Sequence, residues 1–440
     1  MPVPKSIRAL HVFPLFGRDF PNGSERYAWM LTRALLDAGV AADVYTTCSK
    51  GVRQKSGFTL DWPNDFAAGA SEVDGVHVTR FRTFTMPSFT GWLAARLLDR
   101  HVHYARLKLG PVPADGSPEL ALYQHRIMAT QSWFSNLLML LSLGPISLGL
   151  LKAVWRNARR YDVILASFFP LFSIPAVVRI GRARGVPVVV LPLFHANDLS
   201  NNARILGTAL ERANALLSLT PHSADYLKQL HPGARPYEVG AGIDPMAFDE
   251  AGTISGARFR AKYSLVGRKI ILFVGRKEEG KGYRMAIEAM ASVADPEAIL
   301  VLAGEDVDKV PIPSDDRIRY LGRLTPEDLW DAYDACDVFV LPSRYESFGF
   351  VFIEAWSRGK PVIGHSGCPA VASLIEEGVD GFLCSDAWLL ASRLNELLAN
   401  AALCERMGEA GRKKVFSKYT WAAVAGRVRA VYEGCIEQRH

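Results

Sequence analysis

What most restricts the fold of this chain is a rhythm. Short, continuous apolar runs recur along it, separated by stretches long enough to be helices. Lys269-Ile270-Ile271-Leu272-Phe273-Val274 and Ala298-Ile299-Leu300-Val301-Leu302-Ala303 show no alternation of polar and apolar residues. A strand of that composition is buried on both faces, as in a parallel sheet covered by helices on both sides. Strands alternating with helices point the same way, because each crossover returns the chain to a parallel strand. At 440 residues the chain is also too long for one ordinary core, so two such sheets in tandem are expected.

In the first half the expected strands are 7–13, 42–47, 76–81, 163–166, 186–193 and 215–219. A helix is expected over 24–38, where Tyr27, Leu31, Ala34 and Leu35 recur at helical spacing and Gly39 supplies the stop. Residues 86–158 break the rhythm, being helix-rich, basic and aromatic, and read as an insertion. The rhythm restarts after a turn-rich stretch, Glu238 to Pro245, with strands over 269–274, 298–303, 318–321, 338–341 and 361–363. The expected domains are therefore 1–240, carrying the insertion, and 241–418. A final helix over 421–437 has Val424, Val428 and Val431 on one stripe, but the sequence does not name its partner.

Charge divides unevenly between these halves. Residues 1–235 carry 26 Lys+Arg against 15 Asp+Glu, whereas 236–440 carry 25 against 30. A basic first half suits an anionic surface or acceptor, and solvated surface charge explains it as well. The six cysteines (48, 336, 368, 384, 404 and 435) never approach C-x-x-C spacing. They read as reduced, buried thiols of a cytoplasmic protein, with no structural zinc. The polar N-terminus does not read as a signal peptide. Gly144-Pro145 interrupts the longest apolar stretch, 137–151, which reads as a buried helical hairpin rather than a membrane span.

Two segments carry chemistry. In Gly275-Arg276-Lys277-Glu278-Glu279-Gly280-Lys281-Gly282 a buried strand ends in glycine, two cations follow, and a helix begins. Glycines let backbone N–H groups approach an anion, Arg276 can fork onto phosphate oxygens, and Lys281 adds a point charge. A solvated loop with chance cations explains this segment equally well. The P-loop order fails, because Gly282 follows Lys281 where Ser or Thr is needed. In Arg344-Tyr345-Glu346-Ser347-Phe348-Gly349-Phe350-Val351-Phe352-Ile353-Glu354, one carboxylate follows a strand and another lies in the second turn of a helix. Glu346 could accept sugar hydroxyls and stabilise cationic charge, while Glu354 could accept vicinal hydroxyls such as those of a ribose. The alternative, an acidic first turn favoured by the helix dipole, accounts for one acid but not for Glu354.

With these motifs in order, the chain resembles the retaining GT-B glycosyltransferases of family 4. The elements are Gly275-Arg276 with Lys281-Gly282, the Glu346/Glu354 pair, Gly359-Lys360-Pro361-Val362-Ile363, and Gly240-Ala241-Gly242-Ile243-Asp244 at the domain boundary. The resemblance implies two Rossmann-like domains whose parallel sheets face a cleft between them, with the last segment, 419–440, crossing back onto the first domain. It implies transfer of a hexose-type sugar from a nucleoside diphosphate sugar to a glycan or lipid-linked acceptor. In that reading Arg276 and Lys281 hold the diphosphate and Glu354 the ribose. Glu346 contacts the transferred sugar, helped by backbone N–H groups of Phe348 and Gly349, and Ser347 and Phe350 also bind the donor. Main chain at Arg323 and Leu324 meets the base, Gly23 in Asn22-Gly23-Ser24-Glu25 approaches the donor, and His195 turns toward the donor sugar. Two departures stand out. Asn22 replaces a glycine, and Ser373 stands where a glutamate is usual.

No cofactor is implied, and no metal either, since no D-x-D is expected at a strand end. No nucleic-acid partner is implied. The protein would work in the cytoplasm or at the inner face of an anionic membrane touched by the basic first half. An epimerase or nucleotide-sugar hydrolase on the same scaffold, or a non-catalytic carbohydrate-binding relative, stays open as an alternative. Two other classes are excluded: Gly364-His365-Ser366-Gly367-Cys368 lacks the last glycine of a nucleophile elbow, and residues 12–17 lack G-x-G-x-x-G.

Overall fold

The continuous apolar runs become the inner strands of two separate sheets in the computed structural model. The structure describes residues 6–18, 20, 23–113, 118–168, 170–193, 204–244, 249 and 252–439. Two units divide the chain: Met1–Gly242 with Trp421–His440, and Ile243–Thr420.

Unit 1 begins with β1 (Arg8–Val12), α1 (Gly23–Asp37), β2 (Ala41–Thr47), β3 (Arg53–Ser56), β4 (Thr59–Asp61), β5 (Gly69–Val73) and β6 (Val76–Phe81). Four helices follow: α2 (Ser88–Leu109), α3 (Pro118–Ala129), α4 (Trp133–Leu143) and α5 (Leu148–Asn157). The alternation then resumes with β7 (Val163–Ser167), α6 (Ser173–Arg184), β8 (Val188–Leu191), α7 (Arg204–Arg212), β9 (Ala215–Ser218), α8 (Pro221–Leu230) and β10 (Pro236–Glu238). The sheet runs β10-β9-β8-β7-β1-β2-β6-β5. It is parallel except at β5, which pairs antiparallel with β6, while β3 and β4 form a separate hairpin.

Unit 2 contains α9 (Gly256–Lys262), β11 (Lys269–Val274), α10 (Tyr283–Ala289), β12 (Ala298–Ala303), β13 (Ile318–Gly322), α11 (Pro326–Ala335) and β14 (Val338–Leu341). It continues with α12 (Phe350–Ser357), β15 (Val362–His365), α13 (Pro369–Leu374), β16 (Gly381–Cys384), α14 (Ala387–Leu398) and α15 (Ala401–Lys418). Its six-stranded sheet runs β13-β12-β11-β14-β15-β16, parallel throughout. The chain then returns to unit 1 as α16 (Trp421–Glu437).

Several expectations need correction. The run 186–193 yields a strand only over Val188–Leu191, because Pro187 has no N–H to donate to a ladder and Pro192 stops it. The polar, exposed edge strands β3, β5 and β10 carry no apolar signature, and β16 is only four residues long. The 137–151 stretch does split at Gly144, and α4 buries Met139 and Leu140. Within that stretch Leu148, at the start of α5, is 76% exposed, so the hairpin is buried except at that corner.

The partner of the last helix is now visible. On β1, buried His11 accepts and donates at once. Its Nδ1 lies 2.9 Å from Thr32 Oγ1 on α1, and its Nε2 lies 3.3 Å from the Tyr432 hydroxyl on α16. Because Thr32 already donates its hydroxyl proton to the Ala28 carbonyl, it must accept from His11 Nδ1–H, which leaves Nε2 to accept from Tyr432. Tyr27 donates to the Gly240 carbonyl at 2.8 Å, and Arg427 donates twice to the Val239 carbonyl. A Cβ on Gly242 would lie 2.3 Å from the Trp421 ring, so the chain can leave unit 1 here only as glycine. The six cysteines are free thiols. Burial pushes Cys336 and Cys384 each up to about 12, far above the range where a thiolate forms.

Candidate functional site

The strand order of unit 2 reverses at β11. From there β12 and β13 lie to one side and β14, β15 and β16 to the other. Such a reversal opens a crevice outside the carboxyl ends of the two central strands, where open parallel sheets bind ligands. Both chemistry-bearing segments start there, one following β11 and the other following β14.

Backbone contacts stitch these two loops together. The Arg344 N–H donates to the Gly280 carbonyl at 3.0 Å, and the Ser343 hydroxyl donates to the same oxygen at 3.2 Å. Gly282 has φ +77°, and a Cβ there would sit 2.1 Å from the Pro342 carbonyl oxygen. Only glycine tolerates both constraints. With the loops so joined, Lys281 Nζ reaches Glu346 Oε1 at 2.8 Å, although 65 residues separate them in sequence. Both side chains are mostly covered, at 19% and 13% exposure. Arg276 is held differently: its guanidinium pairs with Glu278 at 2.8 Å and remains 58% exposed.

Glu354 lies one turn into α12, half-buried, and accepts a hydrogen bond from the Tyr333 hydroxyl of α11 at 2.8 Å. Burial first, and the adjacent Glu354 charge second, hold the Tyr333 phenol well above its ordinary range. It therefore stays a donor and fixes the carboxylate. Gly349 caps α12 at φ +95°. Phe348 is 1% exposed and stacks edge-on against Phe350 and Tyr419, so it can offer a ligand only its backbone. Arg323 and Leu324 follow β13, two strands from the switch, with Arg323 exposed. Gly23 opens α1 of unit 1, with nothing within 4 Å of the position of a Cβ. His195 and Asn22 lie outside the described residues.

The structure corrects the expectation about D-x-D. Asp306-Val307-Asp308 does follow a strand, β12. Buried Lys277 fills the space between its carboxylates, 2.6 Å from Asp306 Oδ1 and 3.0 Å from Asp308 Oδ1. Burial alone would lower the Lys277 pKa, but the two carboxylate hydrogen bonds outweigh it and raise it. The triplet thus already has a resident cation. It anchors the β11 loop to the β12 loop, aided by Gly304, where a Cβ would meet the Gly275 carbonyl oxygen at 1.8 Å.

Sequence reasoning missed Lys277, Tyr333 and His365. Only the cation-rich context hinted at the first, and Tyr333 reads as one more core aromatic on a helix. His365, the last residue of β15, is 7% exposed, and its Nδ1 accepts from the Gly367 N–H at 2.8 Å. The ring proton therefore sits on Nε2, which has no acceptor among the described residues. Burial, then the Arg344 charge, keep this imidazole below its usual pKa.

Known protein families match most of both units. "Glycosyl transferases group 1" matches residues 257–414, which span most of unit 2, and "Glycosyl transferase 4-like domain" matches residues 22–240 of unit 1. The chain belongs to the glycosyltransferase group 1 family. Relatives include alpha-D-kanosaminyltransferase of Streptomyces kanamyceticus, 27% identical over 61% of this chain and 74% of that protein. Spore coat protein SA of Bacillus subtilis is 29% identical over 48% of this chain and 63% of its own length. Mannosylfructose-phosphate synthase of Agrobacterium fabrum is 29% identical over 50% of this chain and 52% of its own. The match to these three thus spans between about half and three quarters of their lengths. Among solved structures, Anabaena HepE in complex with UDP superposes over 97% of this chain and 100% of its own, with a TM-score of 0.63 at 15% identity. The same HepE has been solved with UDP-glucose, with a TM-score of 0.61. These likenesses give the chain the GT-B fold.

Proposed function

We propose that this protein transfers a hexose-type sugar, with retention at the anomeric carbon, from a nucleoside diphosphate sugar to a glycan or lipid-linked acceptor. The observation that carries this reading is the Lys281–Glu346 pair at the strand-order reversal of unit 2. It sets one cation and one carboxylate side by side where a ligand would enter. A leaving diphosphate gains negative charge as the glycosidic bond breaks, and the anomeric carbon gains positive charge. In this reading Lys281 would meet the first and Glu346 the second. Arg276, mostly exposed, is free to swing from Glu278 onto phosphate oxygens as a fork. These two cations supply the charge the departing diphosphate needs, so the reading calls for no metal.

Glu354, held by Tyr333, would accept the ribose hydroxyls, and the Arg323–Leu324 backbone would meet the base. Ser347, Gly349 and Phe350 would border the sugar at the start of α12, with Phe348 adding its backbone. Gly23 and His195 would serve from unit 1. HepE, of the same fold and solved with UDP and with UDP-glucose, supports a nucleotide-sugar donor. The basic first half supports an acceptor presented at an anionic membrane face from the cytoplasm. No helix among the described residues is long and apolar enough to cross a membrane.

The test is nucleotide release from a panel of nucleoside diphosphate sugars, with and without candidate acceptors, followed by the anomeric configuration of the product. Acceptor-dependent release with a retained anomer supports the reading. Full-rate release without acceptor would point to a hydrolase or epimerase, and binding without turnover to a carbohydrate-binding protein.

A further inference from the structure

Unit 1 contains a groove of about 890 Å³ between α4, α6 and α7, far along the chain from Lys281 and Glu346. Its floor is apolar, built from Leu137, Val178, Ile205 and Ala209. Arg179 and Arg182, one turn apart on α6, and Arg204 and Arg212, the first and last residues of α7, line it as well. All four arginines are exposed. Trp133, also lining the groove, is 64% exposed, and its neighbour Phe134 is 59% exposed.

The arginines differ in one respect from six of those in unit 2, where Arg319, Arg323, Arg344, Arg406 and Arg412 likewise have no ion pair among the described residues. Arg258, Arg260, Arg276, Arg284, Arg358 and Arg393 each have a carboxylate within about 3.2 Å. Among the described residues, Arg179, Arg182, Arg204 and Arg212 have no ion pair and no acid lines the groove. Arg182 instead donates to the Arg212 backbone carbonyl at 3.5 Å, which draws the two cationic helix ends together. Four unneutralised guanidinium groups around an apolar trough, with an indole at the edge, match a surface that is anionic outside and apolar just beneath. Headgroup phosphates would take the guanidinium forks, and the Trp133 ring would sit at the level where amphipathic rings prefer to lie.

We propose that this groove docks the protein on the surface of an anionic phospholipid bilayer. The proposal deepens the membrane-face acceptor read above and rests on that reading. It is tested without donor or acceptor, so that either can fail alone.

The experiment is co-sedimentation of the full chain with vesicles of phosphatidylcholine alone and of phosphatidylcholine mixed with phosphatidylglycerol. Binding is expected only to the anionic vesicles, and it should fall steeply between low ionic strength and about 0.5 M salt. Each arginine near the surface is worth roughly fivefold in partition, so Arg179→Glu with Arg182→Glu should cut binding at least tenfold. Trp133→Ala should cut it severalfold. Arg406→Glu with Lys413→Glu, the same charge change on α15 of unit 2, should cost much less. The thermal melting midpoint and circular dichroism of the groove variants, taken without nucleotide, should match those of the unsubstituted protein, which checks their folding. Equal binding to both vesicle types, undiminished binding by the double arginine variant, or an equal loss in the α15 control would each overturn the proposal. So would a change in oligomeric state caused by the groove variants, since it would make the groove a contact between copies of the chain.

Discussion

Lys281 and Glu346 face each other at 2.8 Å across two loops that Gly282 and Ser343 lock together. Each neutralises the other until a ligand divides them, with phosphate competing for the ammonium and the sugar for the carboxylate. Lys281→Ala and Glu346→Gln are therefore expected to lower transfer by about 10²–10³ each, measured as acceptor-dependent nucleotide release. Circular dichroism should show both variants folded. Wild-type rates in either would remove the pair from the mechanism.

The Tyr333–Glu354 hydrogen bond gives a graded test of the ribose assignment. Glu354→Gln should weaken nucleotide binding by about 1.5–3 kcal/mol, the range for hydrogen bonds to a charged group. Tyr333→Phe, which only frees the carboxylate to rotate, should cost about 0.5–1.5 kcal/mol. Calorimetric titration with nucleoside diphosphates reads both. A larger loss in the tyrosine variant would contradict the ordering.

His11 makes unit 1 sensitive to acid. Burial lowers its folded pKa from 6.5 to about 3, so below pH 6.5 the unfolded chain takes up a proton that the folded chain refuses. Stability from this residue is complete above pH 6.5 and is lost as pH falls toward 3. The total is on the order of 5 kcal/mol. Urea unfolding at a series of pH values should show this slope, and His11→Gln, with no proton to gain, should flatten it.

In unit 2 the Asp380 carboxylate is 1% exposed and paired with Lys414. The Asp380 backbone carbonyl also accepts from the Trp356 indole at 2.8 Å. Lys414→Met strands that carboxylate and should cost about 3–5 kcal/mol in denaturant unfolding. Adding Asp380→Asn should recover much of the loss, because the stranded charge disappears.

The sequence is most legible where burial is symmetrical. β11, β12 and β14 follow the expected runs residue for residue, since a strand buried on both faces must be apolar throughout. It is least legible at edges, where β3, β5 and β10 owe their existence to neighbours rather than to side chains. At the site, Lys281 and Glu346 announce themselves by type and spacing, but nothing in the order of residues shows that they touch. That contact depends on β14 pairing with β11, a choice made by the whole sheet. Lys277 escapes notice for a similar reason: its role depends on Asp306 and Asp308 arriving from the next strand along.

The return of α16 to unit 1 has a consequence for how the chain is made. Unit 2 is one unbroken stretch, Ile243–Thr420, whereas unit 1 is interrupted by it. During synthesis unit 2 can close as soon as its last helix emerges. His11 and Thr32, made some four hundred residues earlier, must wait for Tyr432 before their buried network is complete. Until then β1 and α1 expose an apolar face, and a nascent chain stalled before residue 421 would be a substrate for chaperones rather than a half-finished enzyme.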